Sequence, residues 1–264
     1  MCNQKARWSE VLRRLFGQRR EPTDPDGRVL YAIGDVHGRA DLLEPLLETI
    51  FKDVEDQPCL LVMLGDYVDR GEASRSVIER LANGPFPRSM ETVFLKGNHE
   101  AALLDFIQTP ETGPAWVEHG GRETLLSYGV RAPLHASDAK GWREASQAFS
   151  EALPESHTRW LEALRLFHIS GEHFFVHAGV DKGRDPHDQD EATLLWTRGG
   201  FLRDHRRWPL TVVHGHTPEP KPVVVRGRIG LDTGAYATGC LTAARLKPGR
   251  VVFFSARAQR LKQN

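Results

Sequence analysis

Cysteine is scarce in this chain of 264 residues, and Cys2, Cys59 and Cys240 stand far apart with no C-x-x-C spacing. An odd, scattered set builds no disulfide framework and fits a reducing cytosol. Long apolar runs are missing as well, and none approaches the roughly 20 residues that a membrane span requires. Net charge is absent, because 35 basic residues balance 35 acidic ones. No global field therefore points to nucleic acid or to an anionic membrane. Internal repeats and low-complexity tracts are lacking. What is there is 40% hydrophobic and 27% charged, the composition of a soluble chain long enough for one large, fully cored domain.

The first twenty residues read differently from the rest. Trp8, Val11, Leu12, Leu15 and Phe16 recur on a helical period between Arg7, Arg13, Arg14, Arg19 and Arg20. Such a basic amphipathic helix packs on its own domain or docks to an acidic partner or membrane surface without stable insertion. Arg13-Arg14 resembles a twin-arginine export signal, but a stretch rich in charge and Pro, not an apolar h-region, follows it. Residues 21–27 (EPTDPDG) form a turn-rich connector. The expected organisation is a helix and linker over 1–27, a main domain over 28–258 and a tail over 259–264.

Short β-rich runs occupy Val29–Ile33, Leu60–Leu64, Thr92–Lys96, His173–His177 and Thr211–His214. Val223–Val225, Ile229–Leu231, Leu241–Leu246 and Val251–Phe254 follow with the spacing of hairpin strands. Helix-period segments at Asp41–Phe51 and Glu72–Leu81 separate the early strands. This alternation, closing on a β-rich third, predicts an α/β sandwich containing a mixed sheet. Residues 101–170 carry no candidate ligand motif; their Leu, Trp and Phe residues predict several helices that cover one flank and complete the core.

The chemistry concentrates at strand ends. GDVHG (34–38), GDYVDRG (65–71), GNHE (97–100) and HGHT (214–217) each follow an apolar run, and FFVHAG ends a further run at His177. Asp, Asn and His are ligands for hard or borderline divalent metals. In an extended strand end residues i and i+2 share a side, so Asp35 and His37 can grip one cation. Asp66 closes the next strand, and its two carboxylate oxygens can bridge two metals about 3.5–4 Å apart. Asn98, His177 and a histidine of the HGHT loop, His214 or His216, can complete a second site. Ligands of open α/β sheets gather at carboxyl ends of strands, where all of these residues fall.

GDxHG, GDxVDRG and GNHE together resemble the phosphoprotein-phosphatase branch of the calcineurin-like metallophosphoesterases, in particular its compact bacterial and phage-type serine/threonine phosphatases. The resemblance spans roughly 29–246 and includes LLWTR (194–198), GHTPEPKP (215–222) and LDTGA (231–235). It implies an αββα sandwich of mixed β-sheets flanked by helices, with a dinuclear centre at the strand ends. Asp35, His37 and Asp66 would hold the first metal; Asp66, Asn98, His177 and His216 would hold the second. His216 is preferred over His214 because the family pattern places the ligand after the glycine. Mn, Fe and Zn all suit such ligands, with Mn favoured.

The device implies a mechanism. Two cations bind phosphate oxygens and acidify a water between them. Arg70, Arg198 and Asn98 are candidate phosphate ligands, since a guanidinium grips two oxygens at once. His99 would protonate the leaving group, and Asp69 would orient it. Tyr236 either lines the site or packs beside it. The remaining histidines, among them His119 and His157, read as surface or satisfied core residues. The expected activity is phosphomonoester hydrolysis, foremost of phosphoserine and phosphothreonine in proteins. The alternative is hydrolysis of dinucleoside polyphosphates: in the family pattern the symmetric tetraphosphatases lack the Asp standing here as Asp69 and carry GNHD, whereas asymmetric ones keep both features. A metal-free scaffold is a third reading, against which the intact ligand set stands.

Overall fold

Five-residue apolar runs build the centre of the first sheet. In the computed structural model, which describes residues 24 and 26–258 apart from 248, β1 (Val29–Ile33), β2 (Cys59–Met63) and β3 (Met90–Phe94) run parallel. The amphipathic segment expected at 1–20 and the tail at 259–264 lie outside the described residues. Every residue of β1 and β2 is buried, as parallel strands covered on both faces must be. Helices α1 (Ala40–Val54) and α2 (Ser74–Asn83) make the crossovers. A second sheet holds β4 (Phe167–Ser170), β5 (His173–Val176), β6 (Thr211–His214), β7 (Val223–Val225) and β8 (Arg228–Gly230), in the order β4-β5-β6-β8-β7. The hairpin β9 (Cys240–Lys247) and β10 (Arg250–Arg257) returns to the first sheet and pairs antiparallel beside β1, giving β10-β9-β1-β2-β3.

Side-chain alternation sorts the strands into layers. Leu30, Ala32, Leu60 and Val62 face Phe175, Val213 and Ile229 of the other sheet. Tyr31, Ile33, Leu61 and Met63 point oppositely, onto Leu43, Leu47 and Ile50 of α1 and onto the helical flank. Phe174, Val176 and Val212 turn outward against Leu194 and Phe201. The α/β sandwich with mixed sheets is therefore the observed fold, and no helix among the described residues is long and apolar enough to cross a membrane.

One expectation needs correction. The helical flank does not run to residue 170: it comprises α3 (Asn98–Gln108), α4 (Gly113–Trp116), α5 (Arg122–Ser127), α6 (Ala139–Ala152) and α7 (Glu155–Glu162), and then gives way to β4. Phe167 and Ile169 alternate with His168 and Ser170, and this four-residue strand pairs antiparallel with β5. A helical period set by Trp160, Leu161 and Leu164 hides so short an alternation.

Aromatic rings hold the flank together. Phe149 is fully buried, with ring centroids 5.3 Å from Tyr128, 5.9 Å from Trp116 and 6.4 Å from Phe106. Phe149→Ala should lower unfolding free energy by about 3–5 kcal/mol, as ring deletions in packed cores do. Urea titration checks this through a lower midpoint at unchanged slope; an unaltered midpoint would show that the flank is not packed around this ring.

Candidate metal centre

The loops that leave β1, β2, β3, β5 and β6 converge on one buried cluster. Asp35, His37, Asp66, Asn98, His99, His177 and His216 are all buried there. Six non-glycine residues among those described have positive φ, and five are His37 (46°), Asp66 (52°), Asp69 (71°), Arg70 (69°) and His216 (61°). Left-handed backbone at such residues is disfavoured and persists where surrounding structure over-determines it. Two glycines make room: a Cβ on Gly97 would overlap Asp66 Oδ1, and one on Gly215 would overlap Asp35 Oδ1.

Asp66 Oδ2 sits in the middle, 3.5 Å from His37 Nε2, 3.4 Å from His177 Nε2 and 3.9 Å from His99 Nε2. His177 Nε2 also lies 2.9 Å from Asn98 Oδ1 and 3.1 Å from His216 Nδ1. Two groups able to hold a cation share Asp66: His37, Asp66 and His99, and Asp66, His177 and His216, with ligand atoms in each group within 4.8 Å of one another. Asp35, in the same buried cluster, belongs to neither group, and its carboxylate accepts the His216 backbone N–H at 3.0 Å. His214 points away. Its Nε2 contacts Arg228 at 3.2 Å and its ring edge meets Phe201.

The hydrogen-bond partners suit metal ligation. His37 Nδ1 donates to the Val68 carbonyl at 2.8 Å and His177 Nδ1 to the Leu64 carbonyl at 2.9 Å. Each bond takes up the Nδ1 proton and turns Nε2 to the cluster, where the neutral ring offers a lone pair. Two guanidiniums point at such lone pairs: Arg70 reaches His37 Nε2 at 3.0 Å and His99 Nε2 at 3.1 Å, and Arg198 Nε reaches His216 Nε2 at 2.9 Å. Positive groups thus occupy the places where the donor set calls for cations.

Charge states follow from burial and neighbours. Burial lowers His37 and His216 to about 3, keeping both neutral as ligands must be. Burial, then the charges of Asp232 and Asp66, pushes Asp35 well above the usual carboxylate range. Burial also opposes ionisation of Asp66, but His177 and His99 outweigh it and hold that carboxyl well below its usual range. For His99 burial favours the neutral ring, and Asp66 and Asp69 more than offset it, raising the pKa. An imidazolium cannot accept from Arg70, so that contact belongs to the neutral ring.

His99 Nδ1 lies 2.7 Å from Asp69 Oδ2. Tyr236, 40% exposed, lines the mouth with its ring 4.6 Å from the Arg70 guanidinium carbon and 5.4 Å from the His37 ring. Sequence reasoning missed Asp232, buried against this group, and missed Trp116 and Thr124, which bind Asp69. LDTGA was a signal for the first; nothing in the sequence marked the other two. A cavity of about 460 Å³ opens beside His99, walled by Ala101, Ala102, Trp116, His119 and Trp196. His157 is a satisfied core residue between Tyr128 and Glu79.

The sequence profile of the calcineurin-like phosphoesterases matches residues 29–250. Serine/threonine-protein phosphatase 1 of Salmonella typhimurium is 28% identical over 231 residues, covering 83% of this chain and 93% of the relative. The asymmetrical bis(5'-nucleosyl)-tetraphosphatase PrpE of Bacillus subtilis is 27% identical over 235 residues, with 81% and 88% covered. Among solved structures, a mutant of a cold-active protein tyrosine phosphatase superposes with a TM-score of 0.59 at 14% identity, over 91% of this chain and 82% of that one. With the profile spanning all but the ends of the described sandwich, the chain belongs to the calcineurin-like phosphoesterase family.

Proposed function

We propose that this phosphoesterase is a protein serine/threonine phosphatase with a dinuclear centre. Asp35, His37 and Asp66 hold one divalent cation, and Asp66, Asn98, His177 and His216 hold the other. The observation that carries the reading is Asp66 Oδ2, within 3.5 Å of both His37 Nε2 and His177 Nε2, backed by the Asp69–His99 pair on the same cleft. Ligation through His216 Nδ1 puts the ring proton on Nε2, so Arg198 must then leave that nitrogen. The oxygen and nitrogen donor set suits Mn, Fe or Zn, and Mn is the proposed best activator.

Bound cations supply charge for the phosphate oxygens and acidity for the attacking water. The chain's own residues do the rest. Arg70 and Arg198, which here donate to ring nitrogens, turn to phosphate oxygens, and Asn98 adds an amide N–H. Transfer of Arg70 frees His99 Nε2 to carry a proton. Water, giving up one proton to solvent, adds to phosphorus, the P–O bond to the alcohol breaks with its electron pair on oxygen, and His99 Nε2 gives that oxygen its proton. Asp69 keeps the ring turned to the leaving group.

Hydrolysis of dinucleoside polyphosphates is the second reading. The PrpE relatives favour it, and so does the mainly apolar cavity beside His99, whose lining of Ala101, Ala102, Trp116 and Trp196 suits an aromatic base. Asp69 and Glu100 set the chain apart from the symmetric tetraphosphatases only. Turnover of phosphoserine, phosphothreonine and phosphotyrosine peptides beside diadenosine tetraphosphate decides between the readings. The catalytic domain spans 28–258 with its helical flank as a cap; sparse cysteine supports a cytoplasmic setting. The basic segment at 1–20 is proposed to dock on the domain or on an acidic partner.

Activity should require added divalent metal, and Asp66→Asn should lower metal content from two per chain and reduce turnover most among the ligand variants. Full turnover after exhaustive chelation, or two metals retained in Asp66→Asn by elemental analysis, would contradict this. The HGHT histidines should separate cleanly. His216→Ala should lose one metal, and His214→Ala should keep two and lose only thermal stability; the opposite pattern would reverse their roles. For the proton donor, His99→Asn should keep both metals while alkyl phosphate turnover falls about 10²–10⁴-fold. An aryl phosphate with an acidic phenol should fall much less, and equal losses would retire His99 from that role.

A further inference from the structure

We infer that Trp116 and Thr124 of the helical flank are positioning residues that fix the proton-donating ring of His99 through Asp69. This rests on the reading of His99 as proton donor. Asp69 is fully buried, and its carboxylate is held from three sides. Oδ2 accepts from Trp116 Nε1 at 2.8 Å while facing His99 Nδ1 at 2.7 Å, and Oδ1 accepts from Thr124 Oγ1 at 2.6 Å. Its backbone N–H donates to Thr124 Oγ1 at 2.9 Å and to Ser74 Oγ at 3.1 Å. Between the two braces lies the turn Val117–Gly121, whose Gly120 carbonyl accepts the Arg70 N–H at 3.0 Å.

A carboxylate bonded to His99 alone is free to turn about its last side-chain bond, and the imidazole turns with it. Two further donors, one on each oxygen, fix the carboxylate plane and so the ring plane. Both donors are neutral. A Lys or Arg in either place would also fix Asp69, but it would cancel the negative charge that the protonated ring needs. The indole cannot yield, because its ring lies 5.0 Å from Phe106 and 5.9 Å from Phe149, and a Cβ on Gly121 would come within 2.5 Å of it. The same indole walls the cavity beside His99.

Trp116→Phe and Thr124→Val each remove one donor and keep most of the volume. In the metal-loaded enzyme each should lower kcat for a phosphoserine peptide about 10–100-fold, the range seen when a partner orienting a functional histidine is removed. For an aryl phosphate with an acidic phenol kcat should stay within about threefold, since that leaving group needs little protonation. KM and two metals per chain should persist, and Thr124→Ser should restore the peptide rate. Should Trp116→Phe fail to fold, Thr124→Val with its Thr124→Ser control decides alone. Equal losses on both substrates, or no loss on either, would overturn the inference. His99→Asn measured in parallel separates the two levels. A substrate split there without one in the brace variants removes the braces only, whereas no split in His99→Asn removes the proton donor and the braces with it.

Discussion

Glu100 is fully buried and commits both carboxylate oxygens to backbone N–H groups. Oε2 accepts from Asp66 and Gly97, each at 2.9 Å, and Oε1 from Tyr67 at 2.7 Å and Val68 at 3.2 Å. Four peptide dipoles from two loops therefore end on one side chain of α3. That clamp compensates the left-handed backbone of Asp66 and sets it against Asn98 and His99, which begin the same helix. Burial, then the charge of Asp66, pushes Glu100 up to about 7. The N–H donors on both oxygens fit the ionised form, and a cation held by Asp66 would favour it further.

The next constraint is repulsion among Asp35, Asp66 and Asp232, all buried together. Like charges in a low dielectric raise one another's pKa, and Asp35 registers this most. His37 and His216 cannot relieve it, since burial keeps their rings neutral. Arg70 relieves part of it from the cleft side. Neutral imidazoles suit a site that binds phosphate, because two divalent cations shared among two carboxylates and otherwise uncharged donors would retain net positive charge for an anionic substrate.

Much of this was legible in the chain because strand ends and ligand motifs coincide. Val29–Ile33 followed by Gly-Asp, and Thr211–His214 followed by Gly-His, fix both a strand and the place where its loop must turn. Asp35, His37, Asp66, Asn98, His177 and His216 were nameable for that reason, and the structure brings them together, although Asp35 turns to the His216 N–H instead of the central group. Other contacts were illegible for the opposite reason. Trp116 and Thr124 sit in amphipathic segments whose pattern reports only burial, and their polar atoms find Asp69 across 47 and 55 residues of chain. Strand β4 was masked because four residues carry too little alternation to compete with the helical period before them.

Sandwich and flank divide the work, and the division has a consequence. The metal-ligand candidates leave strands of both sheets, so the core of Leu30, Leu60, Val62, Phe175 and Val213 between the sheets fixes their separations. A close-packed interior of this kind resists sub-ångström drift. The Asp69–His99 pair is instead gripped from the flank, whose aromatic cluster forms largely around Phe106, Trp116 and Phe149. Loosening the flank leaves the strand-end ligand candidates in place while it releases the ring of His99, the proposed proton donor. On that proposal, metal affinity and leaving-group chemistry vary separately, although Asp66 and Asp69 lie three residues apart on one loop.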